Sequence, residues 1–177
     1  MRLFVAIDVG LAEPSGDRSS APEHVTLRFL GEVAPERLPD LEAKLADVAR
    51  ALPPFDLVLA GIGAFPNERN PRVVWIGVTE GRAEVSALAA HLATALDEGP
   101  GPARAEAFVP HLTLFRVRSP AQRRRAASLL AGTDAPPASR RVRVRAIHLK
   151  ESRLAPGGAR HRTLASWPLT GLPAAAP

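Results

Sequence analysis

Short runs of apolar and β-branched residues alternate along the chain with longer segments in which leucine and valine recur every three or four positions. The short runs are typical of strands, and the longer segments predict helices with one apolar face. Strands are predicted at residues 2–8, 24–30, 55–65, 72–78 and 107–117. The first helix is predicted from Pro35, with an apolar stripe of Leu38, Leu41, Leu45, Val48 and Leu52; the second carries Val85, Leu88, Leu92 and Leu96 and ends at residues 99–102.

The last third of the chain predicts one more helix and a terminal hairpin. Ser119 and Pro120 suit a helix start, and Gly132 suits the position just beyond its end. Residues 140–154 alternate arginine with valine before the pattern slips near Ala146, and a Pro-Gly-Gly turn at 156–158 predicts a returning strand. The interval 9–23 and the tail 171–177 predict irregular structure. This order of elements predicts an α+β fold.

Length and composition narrow the class of protein. A chain of 177 residues suits a single domain, here 1–177, with its own core. The chain contains no cysteine, which excludes a thiolate nucleophile, a cysteine metal site and disulfides, and is compatible with a cytoplasmic location. The apolar run in MRLFVAID is too short for a signal peptide or a membrane span.

The charge balance favours an anionic partner. Net charge is +5 and the pI about 11.1, and arginine supplies nearly all of the positive charge because Lys44 and Lys150 are the only lysines. A phosphate-bearing partner explains this balance, and so does the Ala, Arg, Gly and Pro excess of a GC-rich genome. Arg141, Arg143 and Arg145 would form a one-sided basic row, which more often is a solvated face; the arginines at 123–125 are expected to be plain surface.

One tetrad occurs twice, as HVTL at 24–27 and HLTL at 111–114. In a strand, each histidine shares a face with the threonine two positions on, while the leucine points to the core. Either motif alone fits an ordinary half-buried histidine, but two copies in matching strands favour one site with two imidazoles and two hydroxyls. Imidazoles of pKa near 6.5 can act as base and acid in a displacement at phosphorus. Zinc is disfavoured, because the nearby carboxylates have the wrong strand parity to join His24.

Three further residues next to the tetrads are candidates for substrate contacts. Arg28 has the strand parity of His24 and could reach a phosphate oxygen, whereas Arg116 has the opposite parity to His111. The alternative for both is an ordinary solvent-facing arginine along the sheet edge. Phe115 has the parity of His111 and could stack on a base or belong to the core.

These segments resemble the 2H phosphoesterases, and within them the RNA 2',3'-cyclic phosphodiesterases, also called LigT-type or 2'-5' RNA ligases. The resemblance is carried by MRLFVAID, HVTLRFLGEV, GIGAFPNERNPRVVWIGV, FVPHLTLFRV and ESRLAPGGARHRTLASWPL, in that order. It implies a bilobal fold, with two pseudo-twofold-related lobes, each an antiparallel sheet with outer helices, around a central cleft. It also implies a cytoplasmic enzyme of RNA processing.

The resemblance implies a reaction as well, without metal or cofactor. An RNA 2',3'-cyclic phosphate is opened to a 2'-phosphomonoester, with His24 as the acid that protonates the 3'-oxygen and His111 as the base that activates water. Thr26 and Thr113 would bind the phosphate, and the reverse reaction would join RNA ends through a 2'-5' linkage. The pseudo-symmetry leaves the acid and base labels exchangeable.

Two departures from the family leave alternatives open. The interval 9–23 is shorter than is usual, and His161 replaces an aromatic residue after the last turn. The alternatives are another 2H activity, on small cyclic nucleotides or an ADP-ribose cyclic phosphate, and a catalytically weak module that binds RNA ends. We expect a monomer that acts on RNA ends or nucleotides and binds no membrane.

Overall fold

The computed structural model describes residues 1–10, 23–96, 108–155 and 158–172, and in these ranges the chain forms eight strands and three α-helices. A 3-10 turn, Pro35–Arg37, precedes the first helix. The strands are β1 Arg2–Asp8, β2 His24–Glu32, β3 Phe55–Phe65, β4 Val73–Glu80, β5 His111–Arg116, β6 Arg140–Val144, β7 Ala146–Ala155 and β8 Gly158–Pro168. The helices are α1 Leu38–Ala51, α2 Arg82–Leu96 and α3 Pro120–Leu130.

The strands form one sheet in the order β6-β3-β4-β5-β2-β1-β7-β8, and every neighbouring pair is antiparallel. Seven pairs of adjacent positions join β3 to β4, whereas β2 and β5 share the single pair Val25 and Leu112. The sheet therefore consists of two groups of four strands that meet between the two strands carrying the repeated tetrad.

The helices cover one face of this sheet. The stripe of α1 buries Leu41, Leu45 and Val48, and that of α2 buries Val85, Leu88 and Leu92. They pack against alternate strand residues, among them Val5, Ile7, Val25, Leu57 and Leu112. A smaller cluster of Val74, Ala126 and Leu129 holds α3 on the same face. Because side chains alternate along a strand, the residues between these apolar positions project from the opposite face.

Most predicted elements are confirmed, and one is wrong. The predicted cap is present, since the Gln122 N–H donates to the Ser119 hydroxyl at 3.2 Å. The prediction of one strand over 140–154 is wrong, because Arg145 separates two strands, β6 and β7. β6 pairs with β3, whereas β7 pairs with β1 and β8 in the other half of the sheet. The slip near Ala146 marks that break. The predicted hairpin is formed by β7 and β8 alone.

Several predictions fall partly outside the described residues. These are the irregular interval, of which 11–22 is not described, the end of the second helix at 99–102, the turn at 156–157 and the tail from residue 173. At the start of the predicted tail, the N–H of Gly171 donates to the carbonyl of Leu52 at 3.0 Å. Among the described helices, none is long and apolar enough to cross a membrane.

Candidate active site

The two H-x-T strands pair with each other around Val25 and Leu112. In an antiparallel pair, positions one residue to either side also face each other, so His24 lies opposite Thr113 and Thr26 opposite His111. Val25 and Leu112 are 0% and 3% exposed and belong to the core. The two histidines and two threonines therefore project together from the face that the helices leave uncovered, which we call the cleft face.

Aromatic rings on β3 and β4 surround His111. Phe65 contacts it edge-on with ring centroids 4.9 Å apart, and Trp75 lies 5.9 Å away. Trp75 can occupy this position because Gly63 faces it on β3, where a Cβ would come within 2.3 Å of the indole ring. Because Phe65 and Trp75 also contact each other at 5.2 Å, the strands hold the imidazole against a pair of large rings.

The surroundings of His111 select one tautomer and favour the uncharged ring. Its Nδ1 lies 2.7 Å from the carbonyl oxygen of Val109, and because a carbonyl can only accept, Nδ1 carries the proton and Nε2 is left with a lone pair. Burial lowers the pKa of His111 below its ordinary 6.5; the Val109 hydrogen bond opposes this, and the positive charge of Arg116 lowers the pKa further. The ring is thus suited to accept a proton.

His24 has a different set of neighbours, on β1 and β8. The ring of Phe4 lies 5.2 Å from His24, and the ring of His161 also lies 5.2 Å away, almost perpendicular to it. His161 contacts Phe4 as well, at 5.0 Å, and its Nδ1 is buried without a hydrogen-bond partner among the described residues. Burial lowers the pKa of His161, and the charges of His24, Lys150 and Arg116 lower it further. A third imidazole therefore belongs to this site.

A buried polar network adjoins His24 on the same face. Asp8, which pairs with His24 across β1 and β2, forms an ion pair with Lys150 at 2.8 Å, and Lys150 is only 1% exposed. The ammonium group also donates to the Thr163 hydroxyl at 2.9 Å. His148 lies 3.8 Å from Asp8, and burial lowers its pKa, although the Asp8 carboxylate opposes this. A buried lysine survives there because its charge is paired and hydrogen-bonded.

A β-bulge at Leu114 corrects the predicted directions of Phe115 and Arg116. Thr113 pairs with Trp75, but the next β4 position, Val74, pairs with Phe115, so that Leu114 is an extra residue. Val74 is fully buried, and Phe115 packs against that α3-facing cluster instead of sharing the face of His111. Arg116 is correspondingly turned to the cleft face, opposite to its predicted parity.

The same bulge occurs in β2 at Leu27. Thr26 pairs with Ala6, and Arg28 pairs with Val5, which is 0% exposed in the core. The predicted parity of Arg28 with His24 is therefore wrong, because its backbone position faces the helices. Phe29 takes the cleft-facing place: its ring lies 6.0 Å from Phe4 and is 58% exposed.

The basic row predicted on β6 is largely neutralised. Arg141 pairs with Glu80, and Arg143 lies 3.4 Å from Asp56. Within the part of the chain that the structure describes, no three His, Asp, Glu or Cys side chains come together as a metal-binding group.

Sequence reasoning missed several side chains of this site, namely Phe4, Asp8, Phe29, Phe65, Trp75, His148 and Lys150. It assigned His148 no role and treated most of the others only as parts of strands. Their shared signal was their position on alternate residues of neighbouring strands, which becomes readable only once the order of the strands is known.

Comparisons with known proteins agree on one family. The sequence model described as the 2'-5' RNA ligase superfamily matches residues 12–154. A protein of Archaeoglobus fulgidus named RNA 2',3'-cyclic phosphodiesterase is 41% identical over 67% of this chain and 73% of its own length. One of the same name from Thermus thermophilus is 36% identical over 84% and 72%.

Solved structures with this fold are also similar. The crystal structure of TT0787 of Thermus thermophilus superposes with a TM-score of 0.72 at 29% identity, covering 97% of this chain and 99% of that one. Escherichia coli LigT, crystallised with 3'-AMP, gives a TM-score of 0.66 at 28% identity over 96% and 98%.

Proposed function

Because the chain belongs to the 2'-5' RNA ligase superfamily, we propose that it hydrolyses the terminal 2',3'-cyclic phosphate of RNA to a 2'-phosphomonoester, with His24 and His111 as acid and base. The observation that carries this proposal is the antiparallel pairing of the two H-x-T strands around Val25 and Leu112. That pairing puts two imidazoles and two hydroxyls on one face. The relatives named RNA 2',3'-cyclic phosphodiesterase supply the substrate class.

The tautomer of His111 favours it as the base. With Nδ1 bound to the Val109 carbonyl and the pKa lowered by burial, Nε2 accepts a proton from the attacking water. The water oxygen forms a bond to phosphorus as the bond from phosphorus to the 3'-oxygen breaks. Protonated His24 gives its proton to that departing oxygen, so the net change is addition of one water.

The hydroxyls and Arg116 would stabilise the charge that develops on phosphorus. Thr26 and Thr113 lie beside both histidines, from where each hydroxyl can donate to a non-bridging oxygen. The bulge at Leu114 turns Arg116 to the cleft face, and its positive charge lowers the pKa values of His111 and His161. Arg116 would help to neutralise a phosphate bound beside these histidines. His161 and Phe29 would border the sugar and base.

Two finer features of the family belong to the same proposal. The two groups of four strands would be pseudo-twofold-related lobes, with β2 and β5 as equivalent members. With a 5'-hydroxyl in place of water, the same base and acid would join two RNA ends: the 5'-oxygen forms a bond to the phosphorus of the 2',3'-cyclic phosphate, the bond to the 3'-oxygen breaks, and a 2'-5' linkage remains. Escherichia coli LigT was crystallised in complex with 3'-AMP, which supports a nucleotide terminus as the ligand.

The test is to incubate the purified chain with an oligonucleotide ending in a 2',3'-cyclic phosphate, in the presence of EDTA, and to identify the product isomer. We expect a 2'-phosphate. His24→Ala and His111→Ala should each lower turnover by roughly a hundredfold or more without unfolding the protein. His91→Ala, on the exposed part of α2, is the matched control and should leave the rate unchanged. A 3'-phosphate product, or near-normal turnover in either variant, contradicts the proposal.

A further inference from the structure

One stretch of the chain carries several arginines and no acidic residue. Residues 107–133 contain no aspartate or glutamate but five arginines, at 116, 118, 123, 124 and 125. This stretch runs from the start of the second H-x-T strand through the end of α3. It therefore begins in the candidate site and leads away from it.

The structure gathers three of these arginines around one groove. Arg118, Arg123 and Arg124 line an open cavity of about 450 Å³ between the end of β5 and the first turns of α3, and all three are exposed. Arg116, on the cleft face, lies only two residues before Arg118. The α3 groove, as we call this cavity, thus begins directly after β5, the strand that carries His111.

The backbone around the groove is fixed by a reciprocal cap. The Gln122 N–H donates to the Ser119 hydroxyl at 3.2 Å, and the Gln122 side chain accepts from the Arg118 N–H at 2.7 Å. This cap orders the start of α3, with Arg118 just before the N-cap residue and Arg123 three residues after the first helical residue. These two bonds order the turn that lines the groove.

The arginines of the groove differ from those elsewhere on the sheet. On β6, Arg141 and Arg143 pair with Glu80 and Asp56. Arg125 is engaged with the ring of Phe115, 4.9 Å away. By contrast, none of the three groove arginines forms an ion pair with any residue in the described ranges.

We propose that the α3 groove binds the sugar–phosphate backbone of the RNA segment that precedes the cyclic phosphate. The inference rests on the proposed function, because a terminus held between His24 and His111 must leave the cleft with its chain attached. Guanidinium groups suit this occupant, since they bind phosphate oxygens in a bidentate way and a nucleic acid offers one phosphate per nucleotide. The RNA would pass Arg116 and then enter the α3 groove. Substrate preference would therefore depend on the length of the RNA.

The experiment compares two substrates, a short oligonucleotide with a terminal 2',3'-cyclic phosphate and a single nucleoside 2',3'-cyclic phosphate. The double variant Arg123→Gln/Arg124→Gln should lower kcat/KM for the oligonucleotide about tenfold, the effect of two exposed ion pairs. For the mononucleotide, kcat/KM should remain within about twofold, because the histidines are untouched. Arg141→Gln/Arg143→Gln removes the same charge from β6 and is the matched control, with no effect on either substrate.

A second measurement uses salt. Binding of an oligonucleotide with a 2'-phosphate end, followed by fluorescence anisotropy, should weaken with rising salt, and the double variant should reduce the slope of log K against log salt by about 1.4, or two contacts of a single strand. If the salt slope of the double variant is unchanged, or if kcat/KM falls equally for both substrates, the groove does not bind the RNA backbone. The arginines would then serve another anionic partner. If the wild type turns over neither substrate, the proposed function fails, while this binding measurement still decides the groove.

Discussion

The Nδ1 of His111 donates its hydrogen to the carbonyl oxygen of Val109, two residues earlier in the chain. Val109 lies in the irregular segment just before β5, and His111 is the first residue of that strand. The backbone therefore supplies the acceptor that sets the tautomer, and no carboxylate is needed. Since burial and Arg116 also lower the pKa of His111, the ring stays neutral at pH values where an ordinary histidine would be partly charged.

The first prediction concerns the pH dependence of turnover. A base must be neutral in the free enzyme, so we expect the acidic limb of kcat/KM to have an apparent pKa below 6.5. Arg116→Gln removes a nearby positive charge and should move this limb part of the way back toward 6.5, while lowering kcat/KM about tenfold or more through loss of a charge-assisted hydrogen bond. Arg141→Gln serves as the control. If the acidic limb of kcat/KM does not move in Arg116→Gln, the charge of Arg116 does not lower the pKa of His111.

The second prediction follows from the two bulges, which turn Phe29 to the cleft face and Phe115 to the α3 cluster. It compares the effects of replacing each residue with alanine. Phe29→Ala should raise KM for an oligonucleotide, since its exposed ring would lose about 1–3 kcal/mol of stacking on a base, and should barely alter stability. Phe115→Ala should instead destabilise the fold by about 2–3 kcal/mol, because its partly buried ring packs against the α3 cluster, and should leave KM unchanged. Urea unfolding together with steady-state kinetics measures both. A raised KM with normal stability in Phe115→Ala would restore the direction predicted from sequence.

These bulges mark the limit of what the sequence could predict. The period-two pattern located the strands but did not separate β6 from β7 at Arg145. The repeated tetrad grouped His24, Thr26, His111 and Thr113. The pattern counts residues, however, and a bulge adds one residue without leaving a signal in composition. Arg28, Phe115 and Arg116 follow the bulged leucines, so all three were assigned to the wrong face, whereas residues before the bulge were assigned correctly.

Long-range neighbours were beyond the sequence for a different reason. Phe4, Lys150 and His161 come from β1, β7 and β8, and their contacts with the site depend on the order of the strands. The break at Arg145, which sends β6 and β7 to different halves of the sheet, follows from tertiary pairing. The slip near Ala146 indicates the break, but no local propensity encodes the separate partners of β6 and β7.

The third prediction tests how β3 holds Trp75 beside His111. Gly63→Ala would place a Cβ within 2.3 Å of the indole ring, so either the ring or the strand must shift. We expect a loss of about 1–3 kcal/mol in the free energy of unfolding and a lower kcat, because Trp75 would no longer support the imidazole. Gly77→Ala on β4, whose Cβ would meet the Ala60 carbonyl oxygen at 3.3 Å and the Trp75 ring at 3.4 Å, should show the same effects to a smaller degree. Equal stability of Gly63→Ala and the wild type would show that the ring has room to move.

The last prediction follows from the third imidazole. The pKa of His161 is lowered in the folded protein, so between that value and 6.5 the unfolded chain binds more protons than the folded one. Stability must therefore fall as the pH falls through 6.5, until the folded pKa is reached and the loss ends. His161→Phe keeps a ring in contact with Phe4 and His24 but cannot be protonated, so the decline in Tm from about pH 7.5 to about pH 5.5 should become shallower. His91→Phe, the same substitution on the exposed side of α2, should leave the slope as it is. If both variants show the wild-type slope, His161 carries no share of the acid sensitivity, and that share belongs to His111 and His148, whose pKa values burial also lowers.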